Sequence, residues 1–151
     1  LPKTAWPPTS LLKSYSPVAI ITPHIGEFMR LAGLTKEELL KDSVAAAKSF
    51  AQEFNVILVM KNAVTVVAEP CENGRAYINS SGTGAMSKAG MGDVLTGVIA
   101  GMLSLRIEPF SAACMGVYLH GIAGEIAEEE QGSHSVMAGD VVNILGKAVN
   151  K

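Results

Sequence analysis

Net charge is nearly absent from this chain. Twelve Lys and Arg face fourteen Asp and Glu, leaving −2 at pH 7. That balance carries no electrostatic footprint for nucleic acid. Cysteine is equally scarce. Cys71 and Cys114 are the only two. They form no C-x-x-C pair and fit a reducing compartment such as the cytoplasm better than a disulfide framework. No H-E-x-x-H or paired-cysteine spacing offers a metal site. Long hydrophobic runs are missing too. Val94 to Leu105 is too short to span a bilayer and is broken by Thr96, Gly97 and Gly101, so no membrane partner is expected. An initiator Met is also lacking. Leu1-Pro2-Lys3 reads as the start of a fragment, with any targeting segment lost upstream. There is no internal repeat and no low-complexity tract.

What is present is a globular composition. The 151 residues are 48% hydrophobic and 17% charged, enough for a single domain over 1–151 with its own core. Residues 1–17, carrying Pro2, Pro7, Pro8 and Pro17, read as a loop. Val18-Ala19-Ile20-Ile21-Thr22, ended by Pro23, reads as a buried parallel strand. A short helix is expected from Glu27 to Ala32, stopped by Gly33. Thr35 with Glu38 forms a capping box, and Leu39, Leu40, Val44, Ala47, Phe50, Ala51 and Phe54 continue one helical face to Asn55. Three strands follow at 56–60, 64–68 and 75–79, with Asn73-Gly74 as a hairpin turn between the last two. Ser80 to Ala89 is a small-residue loop, and helices close the chain at 92–104, 109–129 and 139–149. This order predicts an α/β layered domain with a partly antiparallel edge.

The chemistry concentrates in Ser87-Lys88-Ala89-Gly90-Met91-Gly92-Asp93-Val94-Leu95-Thr96-Gly97. Glycines let backbone approach a ligand closely. A helix start offers open N–H groups and partial positive charge, which suits a phosphate. Asp93 at that mouth is placed to take a proton from a hydroxyl. The plainer reading of the same residues is a tight turn with Asp93 as an N-cap. The long lead-in loop favours a ligand role. Neither of two commoner motifs fits. A P-loop would need Gly at Ser87 and a hydroxyl at Ala89, and a Rossmann fingerprint would need Gly at Leu95.

Two further strand-end loops carry candidate side chains. Lys61, heading Lys61-Asn62-Ala63-Val64-Thr65, could hold a phosphate as a point charge, or be a solvated hairpin lysine. Thr22-Pro23-His24-Ile25-Gly26-Glu27 holds a histidine in a strand-to-helix turn, with Glu27 complementing the helix dipole. One sheet edge could gather Lys61, His24 and Asp93. His120 and His134 lack a partner pattern and read as structural or solvated. Gly97 and Gly101, four apart on one helix, point to close packing against a neighbour, and Glu128-Glu129-Glu130 to a solvated helix end.

Ile21-Thr22-Pro23-His24-x-Gly26-Glu27, Leu58-Val59-Met60-Lys61, Gly90-Met91-Gly92-Asp93-Val94-Leu95-Thr96-Gly97 and Val117-Tyr118-Leu119-His120-Gly121, in that order, resemble the ADP/ATP-dependent NAD(P)H-hydrate dehydratases. The resemblance implies a ribokinase-like layered α/β/α domain, of which this chain is a C-terminal portion lacking the N-terminal strands. It implies a lyase of metabolite repair, in which ADP or ATP drives water from (6S)-NADHX or NADPHX by phosphorylation of the C6 hydroxyl and loss of phosphate. Asp93 would be the base, and Gly90, Met91 and Gly92 the anion hole. Lys61, Asn62, Ala63, Val64, Thr65 and Gly92 would meet the adenine nucleotide, and His24 and Asp93 the hydrate. Mg²⁺ would offset phosphate charge, with no protein residue assigned to it. A homo-oligomer and a fused upstream epimerase domain stay open. Ile25, Asn62, Thr83, Ala85 and Ala89 depart from the family's usual Pro, Gly, Asn, Gly and Gly. The alternatives are a ribokinase-like kinase of a vitamin precursor, which would use the same base and socket, and an inactive nucleotide-binding fragment.

Overall fold

The computed structural model describes residues 19–150. The expected proline-rich loop at 1–17 lies outside them, as does Val18. The chain divides into two compact units, the first running to Ile78 and the second starting at Asn79.

The first unit is built on a sheet of order β1-β2-β3-β4: β1 Ala19–Ile21, β2 Val56–Met60, β3 Thr65–Ala68 and β4 Ala76–Asn79, whose last residue opens the second unit. β1 runs parallel to β2, with Ala19 opposite Val56 and Ile21 opposite Leu58. β2 and β3 are antiparallel, with Leu58 opposite Ala68 and Met60 opposite Val66. The expected mixture of parallel and antiparallel pairing is therefore present. All five residues of β2 are buried, which is what a continuous apolar run signals. Between β1 and β2 lie α1 Ile25–Ala32, α2 Lys36–Lys41 and α3 Ser43–Phe54, and α3 packs on β2 and β3. Their apolar faces join the strands in one core around Phe28, Leu39, Phe50, Leu58 and Met60. Phe28 meets Phe50 edge to face at 5.3 Å.

The helix expected to run unbroken from Thr35 to Asn55 is two helices. Thr35 caps α2 through the expected box, its Oγ1 accepting from the Glu38 N–H at 3.2 Å and Glu38 Oε2 accepting from the Thr35 N–H at 2.8 Å. Asp42 then leaves the helical conformation, at φ −159° and ψ 88°, and its carboxylate accepts from the Ala45 N–H at 2.8 Å. A short carboxylate that can bond nearby backbone competes with helix continuation. The turn at Asn73-Gly74 is also wider than a two-residue hairpin. It is closed by Glu69 and Arg75, with the Glu69 N–H donating to the Arg75 carbonyl at 3.1 Å. The two side chains pair across it at 2.6 Å.

The second unit is helical: α4 Met91–Ser104, α5 Pro109–Gln131 and α6 Ala138–Ala148 pack on one another. Met91, Ala123, Ile126, Val136, Val141 and Ile144 are among its buried core. The lead-in loop contains one short 3₁₀ turn, Gly84–Met86. Glu130, at the exposed acidic end of α5, pairs with Lys147 at 2.7 Å. Among the described residues no helix is long and apolar enough to cross a membrane.

Candidate functional site

The residues singled out from the sequence divide between the two units. His24 and Lys61 belong to the first. β1 ends at Ile21, Pro23 is buried, and the chain turns at His24 into α1. The β2 strand meets this turn just past its own end. The Lys61 N–H donates to the Pro23 carbonyl at 2.8 Å, and the Ile25 N–H donates to the Lys61 carbonyl at 2.9 Å. These bonds set His24 and Lys61 side by side in a single parallel bridge.

His24 is the N-cap of α1. Its Nδ1 accepts from the N–H groups of Gly26 at 3.1 Å and Glu27 at 3.2 Å. Glu27 Oε2 returns the favour by accepting from the His24 N–H at 2.8 Å. An accepting Nδ1 leaves the ring proton on Nε2 when the imidazole is neutral, and that nitrogen lies 3.5 Å from Glu27 Oε1. The side chain is exposed despite these bonds. Lys61 is half-buried, and its ammonium has no partner among the described residues. Asn62, Ala63 and Val64 are exposed in the loop that follows, and the Thr65 hydroxyl donates back to the Asn62 carbonyl at 3.4 Å.

The glycine segment lies in the second unit. Asp93 is not the N-cap of α4. That position is Gly90, at φ 86°, and it has no side-chain cap. A left-handed residue at a helix start aims the first peptides in a way that an L side chain resists. Asp93 stands in the first turn, exposed, and its carboxylate takes no hydrogen bond or ion pair from the described residues. The amides around it differ from one another. Asp93 and Val94 donate to the Gly90 carbonyl at 3.1 and 3.0 Å, and Met91 donates to the Lys88 carbonyl at a long 3.4 Å. The Gly90 and Gly92 N–H groups meet no acceptor among the described residues. Two open amides and a helix dipole beside an unengaged carboxylate can bind an oxyanion and accept a proton next to it.

Several residues that hold this segment gave no signal in the sequence. The lead-in loop lies along α5. The Gly82 N–H donates to Glu125 Oε1 at 2.8 Å, and the Ser81 hydroxyl donates to the Tyr118 carbonyl at 3.2 Å. Asn79, buried, donates from Nδ2 to the Ser81 carbonyl at 2.9 Å. The approach is so close that a Cβ on Gly121 would stand 2.1 Å from Ser81 Oγ. Lys88 reaches across to the loop before α6, where Nζ donates to the carbonyls of His134 and Val136 at 2.7 Å each. The hydroxyls of Ser133 and Thr83 hold the Glu128 carboxyl below its ordinary range.

The expectation for Gly97 and Gly101 is overturned. Nothing lies within 4 Å of a Cβ on either. They line an apolar cavity of about 360 Å³ with Val94, Val98, Leu119 and Leu145. Closely packed helix glycines are in α5 instead: Gly116 against Ile99, Gly121 against Ser81 and Gly124 against Met86. His120, also on α5, is buried.

Comparison with known proteins places these features in a family. The family profile described as NAD(P)H-hydrate dehydratase matches residues 10–147. The chain belongs to that family. A bifunctional NAD(P)H-hydrate repair enzyme of Moorella thermoacetica is 43% identical over 126 residues, covering 83% of this chain and 23% of that protein. An ADP-dependent (S)-NAD(P)H-hydrate dehydratase of Bacillus subtilis is 40% identical over 126 residues, covering 83% of this chain and 45% of the relative. The structure of an ADP/ATP-dependent NAD(P)H-hydrate dehydratase from B. subtilis, co-crystallised with ATP and Mg²⁺, superposes at TM-score 0.82 with 38% identity, over 88% of this chain and 47% of that one. A ribokinase-like superfamily protein of Enterococcus faecalis, 23% identical, shares the fold at TM-score 0.73 over 94% of this chain and 48% of its own. The fold is thus ribokinase-like, and the chain spans between about a quarter and a half of the length of these proteins.

Proposed function

We propose that this chain carries the phosphoryl-handling part of an enzyme that dehydrates (S)-NAD(P)H hydrate at the expense of ADP or ATP. The observation that carries this reading is the exposed, unengaged Asp93 carboxylate beside the open Gly90 and Gly92 amides at the start of α4. Asp93 removes the proton from the C6 hydroxyl of the hydrate as that hydroxyl oxygen attacks the terminal phosphoryl group, and AMP or ADP leaves with the electrons of the broken P–O bond. The amides of Gly90, Met91 and Gly92 stabilise the charge on that group in transit. The Met91 N–H must leave its long bond to Lys88 to take part. Phosphate then departs from C6 with its bonding electrons while C5 gives up a proton, and the nicotinamide ring regains its double bond.

In the same reading Lys61, Asn62, Ala63, Val64, Thr65 and Gly92 contact the nucleotide, and His24 and Asp93 the hydrate. Residues 1–151 are read as part of one ribokinase-like domain, supported by a family profile that runs almost end to end. Among the described residues no group of three or more His, Cys, Asp or Glu converges. A Mg²⁺ held by phosphate oxygens and water would offset negative charge there, a reading supported by the relative co-crystallised with ATP and Mg²⁺. No residue of this chain is assigned to it. Both described cysteines are free thiols, in keeping with a cytoplasmic enzyme. The bifunctional name of the Moorella relative supports a second catalytic domain on the same polypeptide.

The test is direct. Purified protein is supplied with NADHX or NADPHX and either ADP or ATP, and NAD(P)H recovery is followed. Recovery that depends on nucleotide is the expected result. A phosphorylated vitamin precursor formed without NAD(P)H recovery would replace the reading with a kinase, and inertness with both nucleotides would reduce it to a nucleotide-binding fragment.

A further inference from the structure

The Lys88 ammonium is spent on backbone. It lies half-buried two residues before Gly90 and donates to the His134 and Val136 carbonyls at 2.7 Å, with no carboxylate partner among the described residues. Such charge-assisted bonds are short and directional. Their acceptors sit on a firm support. Val136 is fully buried in the core of the second unit, and the turn before it is closed by the Ser135 N–H donating to the Gly132 carbonyl at 3.1 Å. The same support touches Gly90 directly, because a Cβ there would stand 3.1 Å from the Ala138 Cβ at the start of α6. Met91, one residue on, is buried. The backbone from 88 to 91 is therefore gripped on one side by the segment from 134 to 138.

We propose that Lys88 is a positioning residue for the phosphoryl cradle: it staples the glycine loop to the 134–138 segment and so fixes the directions of the Gly90 and Gly92 amides. It does not touch substrate. The inference rests on the function proposed above, which gives those amides their task. Misplacing catalytic backbone by an ångström costs on the order of 100-fold in rate. The ammonium, not its hydrocarbon stem, is the operative part, since the stem alone can bond neither carbonyl.

Lys88→Met keeps the stem and deletes the donors. Expected is a kcat lowered by about 10- to 100-fold with the nucleotide KM nearly unchanged, because ground-state binding depends less on alignment than the transition state does. Lys88→Arg, which can still reach two carbonyls, recovers most of the loss. In unliganded protein the Gly90 and Gly92 amide resonances shift in the Met variant and return towards wild type in the Arg variant. A Met variant with kcat within twofold of wild type, or with both resonances unmoved, overturns the proposal. If the Met variant melts below the assay temperature, Lys88→Gln, with one donor retained, carries the same comparison. If wild-type protein recovers no NAD(P)H, the functional reading fails by itself, and the two resonances alone decide whether Lys88 sets the cradle.

Discussion

His24 and Lys61 stand side by side because the main chain of one loop is bonded to the other. The Lys61 N–H donates to the Pro23 carbonyl at 2.8 Å, and the Lys61 carbonyl accepts from Ile25 at 2.9 Å. Neither side chain makes the link. Substituting either residue thus tests its side chain while the backbone link stays in place.

Lys61→Ala is expected to weaken ADP binding by roughly tenfold, about 1.4 kcal/mol, with little change in melting temperature. Titration calorimetry and a thermal melt check both. Unchanged affinity would remove Lys61 from the nucleotide site.

His24 caps α1, and substitution can separate that role from the proposed contact with the hydrate. Replacing an N-cap by Ala costs about 0.5–2 kcal/mol, whereas Asn caps well. His24→Ala should lower the denaturation midpoint, and His24→Asn should restore most of it. Both should keep a raised KM for the hydrate if the imidazole also meets substrate. A normal KM in the Asn variant would leave His24 as a cap alone.

Asp93→Asn preserves shape and removes the carboxylate proposed as the base. A loss of about 100- to 10,000-fold in kcat is expected, with nucleotide affinity nearly intact. Steady-state rates and equilibrium titration separate the two. Turnover close to wild type would end the assignment.

Two glycines should respond oppositely to alanine. Gly121→Ala drives a methyl into Ser81, at 2.1 Å from Oγ, and overpacking of this kind costs about 1–3 kcal/mol. Gly97→Ala meets nothing within 4 Å and gains helix propensity, so it should stabilise by about 0.8–1 kcal/mol. Denaturant midpoints of the pair give the comparison.

The Glu69–Arg75 pair predicts an acid limb. The guanidinium of Arg75, hydrogen-bonded to the carboxylate, holds Glu69 down to about 2 from an ordinary 4.5. A lowered folded-state value means stabilisation that is present above 4.5 and lost as pH falls towards 2. Glu69→Gln should therefore flatten the fall in stability over that window and leave the neutral-pH melt slightly lower. An unaltered acid limb would show that the exposed Arg75 contributes nothing measurable.

The strands were readable because 19–21 and 56–60 are unbroken apolar runs, and Thr35 with Glu38 announced its helix by residue type. The break at Asp42 was hidden because Leu39 and Phe50 keep helical phase across it. Glycine spacing on α4 could not tell a crowded face from an open one, since the crowding depends on chain far away. Lys88 left no trace for the same reason: its partners are carbonyls 46 and 48 residues on, and any residue type supplies a carbonyl. Sequence singled out the segment to which chemistry is proposed, while the residues that hold it became visible only through the fold.

Gly90, at φ 86° with Ala138 3.1 Å from where a side chain would begin, has a bearing on how this segment can vary. A saturation library selected for function should return a single amino acid there, whereas Ala89 and Lys88 tolerate others to graded degrees. The narrowest mutational tolerance in the segment thus falls on an atom that is absent, the methyl that glycine does not have.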